Sequence, residues 1–149
     1  MTAKAAPAQG PLHGVRVIDL TQFVLGPYAT QTLGDLGADV IKVEEPSGDR
    51  QRNQGKAPKS QVMGPLFVAL NRNKRSVAID LKSEAGKRAL QKLVRSGDIF
   101  IHNMRPEAIK RLGFGYADVA AIKPDIIYVE AVGYGSGGPY NGRQAFDDL

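Results

Sequence analysis

"VRVIDLTQFVLGPYATQTLGDLGADVIKVE", residues 15–44, decides the fold of this chain. Its first six residues, with Val15, Val17, Ile18 and Leu20, are apolar at both parities. A strand with one face in water alternates, whereas a strand apolar on both sides is covered on both, as in a parallel sheet. The middle of the stretch is helical in character. Pro27 suits a first helical position, where its missing N–H costs nothing, and Gly37 suits a C-terminal cap. "ADVIKVE" (38–44) is a second buried strand. Two such strands joined through a helix make a parallel βαβ unit, not a hairpin.

The same rhythm continues outward. "SVAID" (76–80), "DIFIHN" (98–103) and "DIIYVEAVGYG" (125–135) supply third, fourth and fifth strands, the last over 126–131. Residues 45–62 are polar, with Pro46, Gly48, Gly55 and Pro58, and read as a long loop of the kind that is usually functional or mobile. "GPLFVALNRNK" is a short helix. "SEAGKRALQKLVRSG" is an amphipathic helix capped by Ser83, with Ala85, Ala89, Leu90 and Leu93 on or near one face. "RPEAIKRLG" runs from Pro106 to Gly113, and "YADVAAIKP" is another short helix. The alternation predicts an α/β fold: a Rossmann-like, mostly parallel sheet with helices on both faces and right-handed crossovers. Ligands of such sheets bind beyond the carboxyl ends of the strands. Those ends are Leu20–Leu25, Glu44–Pro46, Asp80–Lys82, His102–Arg105 and Ala131–Gly138.

Composition sets the bounds. A chain of 149 residues, 42% hydrophobic and 23% charged, is enough for one globular core and argues against disorder. It has no cysteine, which excludes disulfides and thiolate metal sites and fits a reducing, cytoplasmic setting. No apolar run approaches the ~20 residues that span a bilayer, so no membrane partner is expected. "MTAKAAPAQGP" lacks an apolar core and reads as a flexible tail over residues 1–11, not a secretory signal. The formal net charge of +5 suits an anionic ligand. Nucleic acid is disfavoured, because the basic residues are scattered and not interleaved with aromatics.

Individual motifs carry less. Gly133, Gly135 and Gly138 match G-x-G-x-x-G, but they follow the fifth strand and meet Pro139, Asn141 and Gly142 where a helix should open, so they read as an irregular glycine turn. "NRNKRS" (71–76) packs three cations into six residues and reads as a solvated turn, with a phosphate contact as the alternative. His13 and His102 have no carboxylate pair at ligand spacing and make no metal site. His102 reads as a partly buried strand-end residue, and Asp19 as a carboxylate satisfying loop amides or a neighbouring helix start.

Four ordered blocks say more: the stretch 14–49 from "GVRVIDL" to "EEPSGD", then "NRNKRSVAIDLKSEAGKRALQKLV", then "DIFIHNMRPEAIKRLGF", then "AFDDL". Together they resemble the amino-terminal part of the family III CoA-transferases, among them formyl-CoA and carnitine CoA-transferases, a superfamily that also holds alpha-methylacyl-CoA racemase. The resemblance runs from Leu12 to Leu149. It implies a Rossmann-like large domain of which residues 12–149 are the first part, a smaller second domain, and two chains interlinked like rings. It implies CoA or acyl-CoA as substrate, with no separate cofactor. The CoA-binding positions it implies are Val24, Leu25, Glu45, Ile79, Asp80, Leu81, Lys82, Asn103, Met104, Arg105, Arg111, Gln144, Ala145, Phe146 and Asp147. Lys82 and Arg111 are the natural phosphate partners among them. Formyl-CoA transferase has an arginine in place of Glu45 and a lysine in place of Gln144, so Glu45 is expected to face away from phosphate, or the adenine end to lie differently.

The resemblance also bears on catalysis. The transferase nucleophile is an aspartate that aligns past Leu149, and its carboxylate attacks the acyl-CoA thioester to give a mixed anhydride. Asp147 and Asp148 are not that residue; they read as helix-start carboxylates. The chain alone is therefore expected to be inactive, as a fragment, a truncated product or one piece of a split enzyme, and to associate as a homodimer or with a complementary chain. In the racemase a histidine base precedes the aspartate aligned with Asp147, and Phe146 cannot replace it as a proton acceptor. Two further readings stay open: a CoA-binding module without chemistry, and an oligomerisation piece.

Overall fold

The structure, a computed structural model, describes residues 10–55, 63–143 and 145. Five strands, β1 (Arg16–Asp19), β2 (Asp39–Glu44), β3 (Lys74–Ala78), β4 (Ile99–His102) and β5 (Ile127–Glu130), form one sheet in the order β3-β2-β1-β4-β5. Every adjacent pair is parallel. Helices α1 (Leu25–Asp35), α2 (Pro65–Leu70), α3 (Glu84–Arg95), α4 (Pro106–Leu112) and α5 (Tyr116–Ile122) make the connections, with a short 3₁₀ helix at Arg50–Asn53. The chain winds outward from β1 to β3, then returns past β1 to β4 and β5. The order therefore reverses between β1 and β4, which is where the crevice of a doubly wound sheet opens.

The two-sided apolarity of the strands is explained by two cores. Ile18, Leu20, Ile41, Val43, Ile79 and Phe100 pack on one face against Leu90, Val94, Ile109 and Val119 from α3, α4 and α5 and Phe114 from the α4–α5 turn. Val17, Ala38, Val40 and Ile101 pack on the other, with Leu33 from α1. Local chemistry ends the helices as the sequence implies: the Ser83 hydroxyl accepts from Gly86 N–H at 3.0 Å, and Gly113 closes α4 at φ 81°.

Three expectations shift. Helix α1 begins at Leu25, so Pro27 sits in its third position, still among the N–H groups that have no intrahelical partner. Strand β3 runs from Lys74, two residues before the expected start, because its pairing with β2 begins at Val40↔Lys74. The run 45–62 is not wholly loop: the Asp49 side chain accepts from Gln51 N–H at 2.8 Å and caps the 3₁₀ helix. Residues 1–9 of the expected tail and residues 56–62 lie outside the described residues. No helix among the described residues is long and apolar enough to cross a membrane.

Candidate functional site

Successive residues of a strand point to opposite faces, so one face of β1, β2 and β3 carries Asp19, Lys42, Glu44, Lys74 and Ser76, with Asp19 and Glu44 last in their strands and Lys74 first in β3. Burying such groups is costly unless each is paired. Lys74 Nζ lies 3.1 Å from Asp19 Oδ2, and Lys42 Nζ lies 2.8 Å from Asp49 Oδ2, with all four side chains almost wholly buried. Glu44 accepts two bonds from Arg52, at 2.6 and 2.7 Å, one from Asp49 N–H at 2.8 Å and one from the Ser76 hydroxyl. Burial alone would raise the Glu44 pKa; the Arg52, Ser76 and Asp49 donors overcome it and hold it at about 2. Burial lowers the Lys74 pKa, opposed by the Asp19 carboxylate.

This polar row fixes the loops above it. Asp19 Oδ1 accepts from Thr21 N–H at 2.9 Å and from the Thr21 hydroxyl, and Oδ2 accepts from the Thr30 hydroxyl at 2.6 Å. Asp19 thus ties the β1–α1 loop to α1, the structural role expected for it. "NRNKRS" is a turn only at its start. Lys74 and Arg75 belong to β3, with Lys74 inward on Asp19 and Arg75 outward on Asp39, while Arg72 pairs with Asp35. Arg72 and Arg75 are exposed, as expected of a solvated cluster, and Lys74 is the buried exception.

His102 is fully buried, deeper than expected. Its Nε2 lies 2.7 Å from the Tyr128 hydroxyl, which donates to Phe114 O at 3.1 Å. Burial lowers the ring's pKa to about 4, opposed by a backbone hydrogen bond at Met104. A neutral histidine packed against Phe100 and Tyr128 is no general base for an outside ligand. Residues 133–142 form turns without a helix, as expected of a glycine turn and not a dinucleotide fingerprint. No cluster of metal-ligating side chains occurs among the described residues.

The strand-end loops bring most of the positions implied by the resemblance to one edge. Val24 and Leu25 are exposed at the start of α1. Glu45 is exposed beyond β2, its carbonyl accepting from Gly48 N–H at 2.8 Å. Ile79 is buried in the core, with its N–H on Glu44 O at 2.8 Å, so only its backbone nears the edge. Asp80 turns the chain by accepting from Lys82 N–H at 3.0 Å; Leu81 is half-buried against the core, and Lys82 is exposed. Asn103 and Met104 are half-buried and Arg105 is exposed, at the β4–α4 junction. Ala145 returns beside Gly133, where a Cβ added to the glycine would meet the Ala145 Cβ at 2.0 Å. Arg111 is set apart, exposed in the last turn of α4, about 8 Å along the helix from Pro106. Gln144, Phe146 and Asp147 lie outside the described residues.

Lys82, Arg105 and Arg111 form no ion pair among the described residues, nor does Arg50 beside the β2 loop. Arg50 carried no sequence signal, because nothing in "SGDRQRN" marks which arginine pairs inward. From the β3 loop to the β4 loop is three inter-strand steps, about 14 Å. The edge therefore offers separated cations to an extended anion.

Comparison with known proteins identifies the scaffold. The sequence model of CoA-transferase family III matches residues 12–149. The chain belongs to CoA-transferase family III. It is 44% identical over 140 residues to a succinyl-CoA:glutarate CoA-transferase of Mus musculus, covering 93% of this chain and 32% of that protein. It is 43% identical over 147 residues to a formyl-CoA:oxalate CoA-transferase of Streptomyces coelicolor, covering 99% of this chain and 34% of that protein. A CAIB/BAIF family structure from Brucella suis superposes with a TM-score of 0.89 at 38% identity, over 95% of this chain and 38% of that one. The chain spans about a third of the length of these family III relatives. What it contributes is thus part of the family's α/β domain.

Proposed function

We propose that residues 12–149 are the CoA-binding part of a transferase that moves CoA from an acyl-CoA to a carboxylic acid. The observation that supports this best is the strand-end edge, where Lys82 and Arg105, without an ion pair among the described residues, stand on loops of β3 and β4 across the switch point, with Arg111 set back along α4. CoA is long and carries a diphosphate and a 3′-phosphate, which suits separated guanidinium and ammonium groups better than a compact anion does. The relatives named above, which take succinyl-CoA with glutarate and formyl-CoA with oxalate, exchange CoA between two acids, and we extend that reaction class to this chain.

In that reaction an aspartate carboxylate attacks the thioester carbonyl, the C–S bond breaks, and CoA leaves as the thiolate while the acyl group remains as a mixed anhydride. Among the described residues the buried carboxylates are Asp19, Glu44 and Asp49, and each is committed to the polar row. On this reading the nucleophile aligns after position 149, and residues 12–149 bind CoA without turnover. Phe23, Leu25, Tyr28 and Ile127 are large, apolar and at least 47% exposed, which supports association with a second copy or a complementary chain.

Titration calorimetry with CoA tests the binding site. Lys82→Ala and Arg111→Ala should each weaken binding by about 1.5–3 kcal/mol, the usual worth of a charge-assisted hydrogen bond. Unchanged affinity in both would refute the site. Acyl-CoA incubation followed by hydroxylamine trapping should leave Asp147 and Asp148 unmodified, and a modified aspartate would place the chemistry inside this chain.

A further inference from the structure

The loop from β1 to α1 holds an unfavourable shape without visible compensation from packing. Phe23 has φ 66°, a left-handed conformation that costs a residue with a bulky side chain, and the residue is 47% exposed. Four groups hold the backbone on either side of it. Thr21 N–H is bound by Asp19, and Thr21 O receives Lys42 Nζ at 2.8 Å. Gln22 is bound through both of its peptide groups to one side chain: its N–H donates to Asn103 Oδ1 at 2.9 Å, and its carbonyl accepts from Asn103 Nδ2 at 2.8 Å. Pro27 O receives Lys74 Nζ at 2.9 Å. Gly26 lets the turn close on itself, since a Cβ there would lie 2.4 Å from the Thr21 Cβ.

The pairing at Gln22 continues the β1–β4 ladder past the ends of the strands, with a carboxamide in place of a peptide. Leu20 N–H donates to Ile101 O at 2.8 Å, and two residues further on Asn103 supplies both partners. It does so where the strand order reverses, so one side chain sets the separation of the two loops that flank the crevice.

We infer that Asn103 is a positioning residue: its carboxamide locks Gln22 across the switch point and, with Lys42 and Lys74 holding the carbonyls on either side, fixes the strained loop in which Val24 and Leu25 meet CoA. The inference rests on the CoA reading above and goes beyond it. The Asn103 side chain acts on the protein's own backbone, and the ligand senses it through the loop.

Backbone NMR of the 149-residue chain tests the loop and titration with CoA tests its consequence, using Asn103→Ala and the near-isosteric Asn103→Asp, which keeps the acceptor for Gln22 N–H and loses the donor. Asn103→Ala should move the Phe23 backbone shifts out of the left-handed range, leave the amides of α3 in place, and weaken CoA binding about tenfold, the worth of one to two neutral hydrogen bonds. Asn103→Asp should fall between Ala and the unaltered chain, and it decides the matter if the Ala variant does not fold. Phe23 shifts unchanged in both variants would overturn the inference, as would altered shifts with unchanged CoA affinity. Failure of the unaltered chain to bind CoA would instead refute the site reading, while the ligand-free Phe23 shifts would still decide whether Asn103 holds the loop.

Discussion

Replacing Glu44 by Gln removes the charge at the centre of the polar row and little else. The Glu44 side chain is 3% exposed and its carboxylate takes four donors, two of them from Arg52. Its pKa drops from the ordinary 4.5 to about 2 on folding. At 1.36 kcal/mol per pH unit, that drop corresponds to about 3 kcal/mol of stability. The sign follows from the direction: the folded chain binds the proton less readily than the unfolded one. The contribution is therefore complete above pH 4.5 and is lost as pH falls from 4.5 towards 2. Glu44→Gln should cost about 3 kcal/mol at pH 7, close to the cost of breaking a buried ion pair. The cost should shrink towards zero near pH 2, where the native carboxyl is itself protonated. Urea denaturation of both proteins across pH 2–7 measures this difference, and other carboxylates cancel in it. A cost that stays constant with pH would show that the Gln variant fails through shape and not charge, and would refute the electrostatic account of the row.

Two further outcomes follow from buried groups. His102, its pKa lowered by burial from 6.5 to about 4, should keep a neutral ring in NMR titration down to about pH 5, and the stability it contributes above pH 6.5 should be lost as pH falls towards 4; a titration midpoint near 6.5 would contradict its burial. Gly26→Ala should destabilise the chain by about 1–3 kcal/mol in thermal or urea unfolding, since its Cβ has no room beside Thr21, and a neutral result would mean the β1–α1 turn opens freely.

The sheet was legible because parallel strands buried on both faces leave a signal that needs no partner to interpret. "VRVIDL" and "DVIKVE" could be little else, and the row of strand ends followed from them. The polar row was not legible. Lys42 and Glu44 sit inside the apolar run that reads as strand, and Lys74 sits inside a run that reads as solvent-facing. Only the pairing of β2 with β3 brings Glu44 to Ser76 and the inward turn of Lys74 to Asp19. Such ion pairs join residues 7 to 55 positions apart, and local composition carries no record of them. Arg111 shows another limit: the sequence places it on the helix after β4, and only the helix geometry shows that it stands about one and a half turns from the loop. Asn103 was legible as a strand-end residue, while its double bond to Gln22 depends on β4 lying beside β1.

The central claim is that CoA lies over the carboxyl ends of β1 to β4. Amide NMR of the isotope-labelled chain, titrated with CoA, tests it most directly because each loop reports separately. The account predicts progressive shifts at Gln22–Gly26, Asp80–Ser83 and Asn103–Arg105, with the opposite end of the sheet, at His13, Gly14 and Asp98, unmoved. Shifts concentrated at His13, Gly14 and Asp98, or no shifts at saturating CoA, would contradict it.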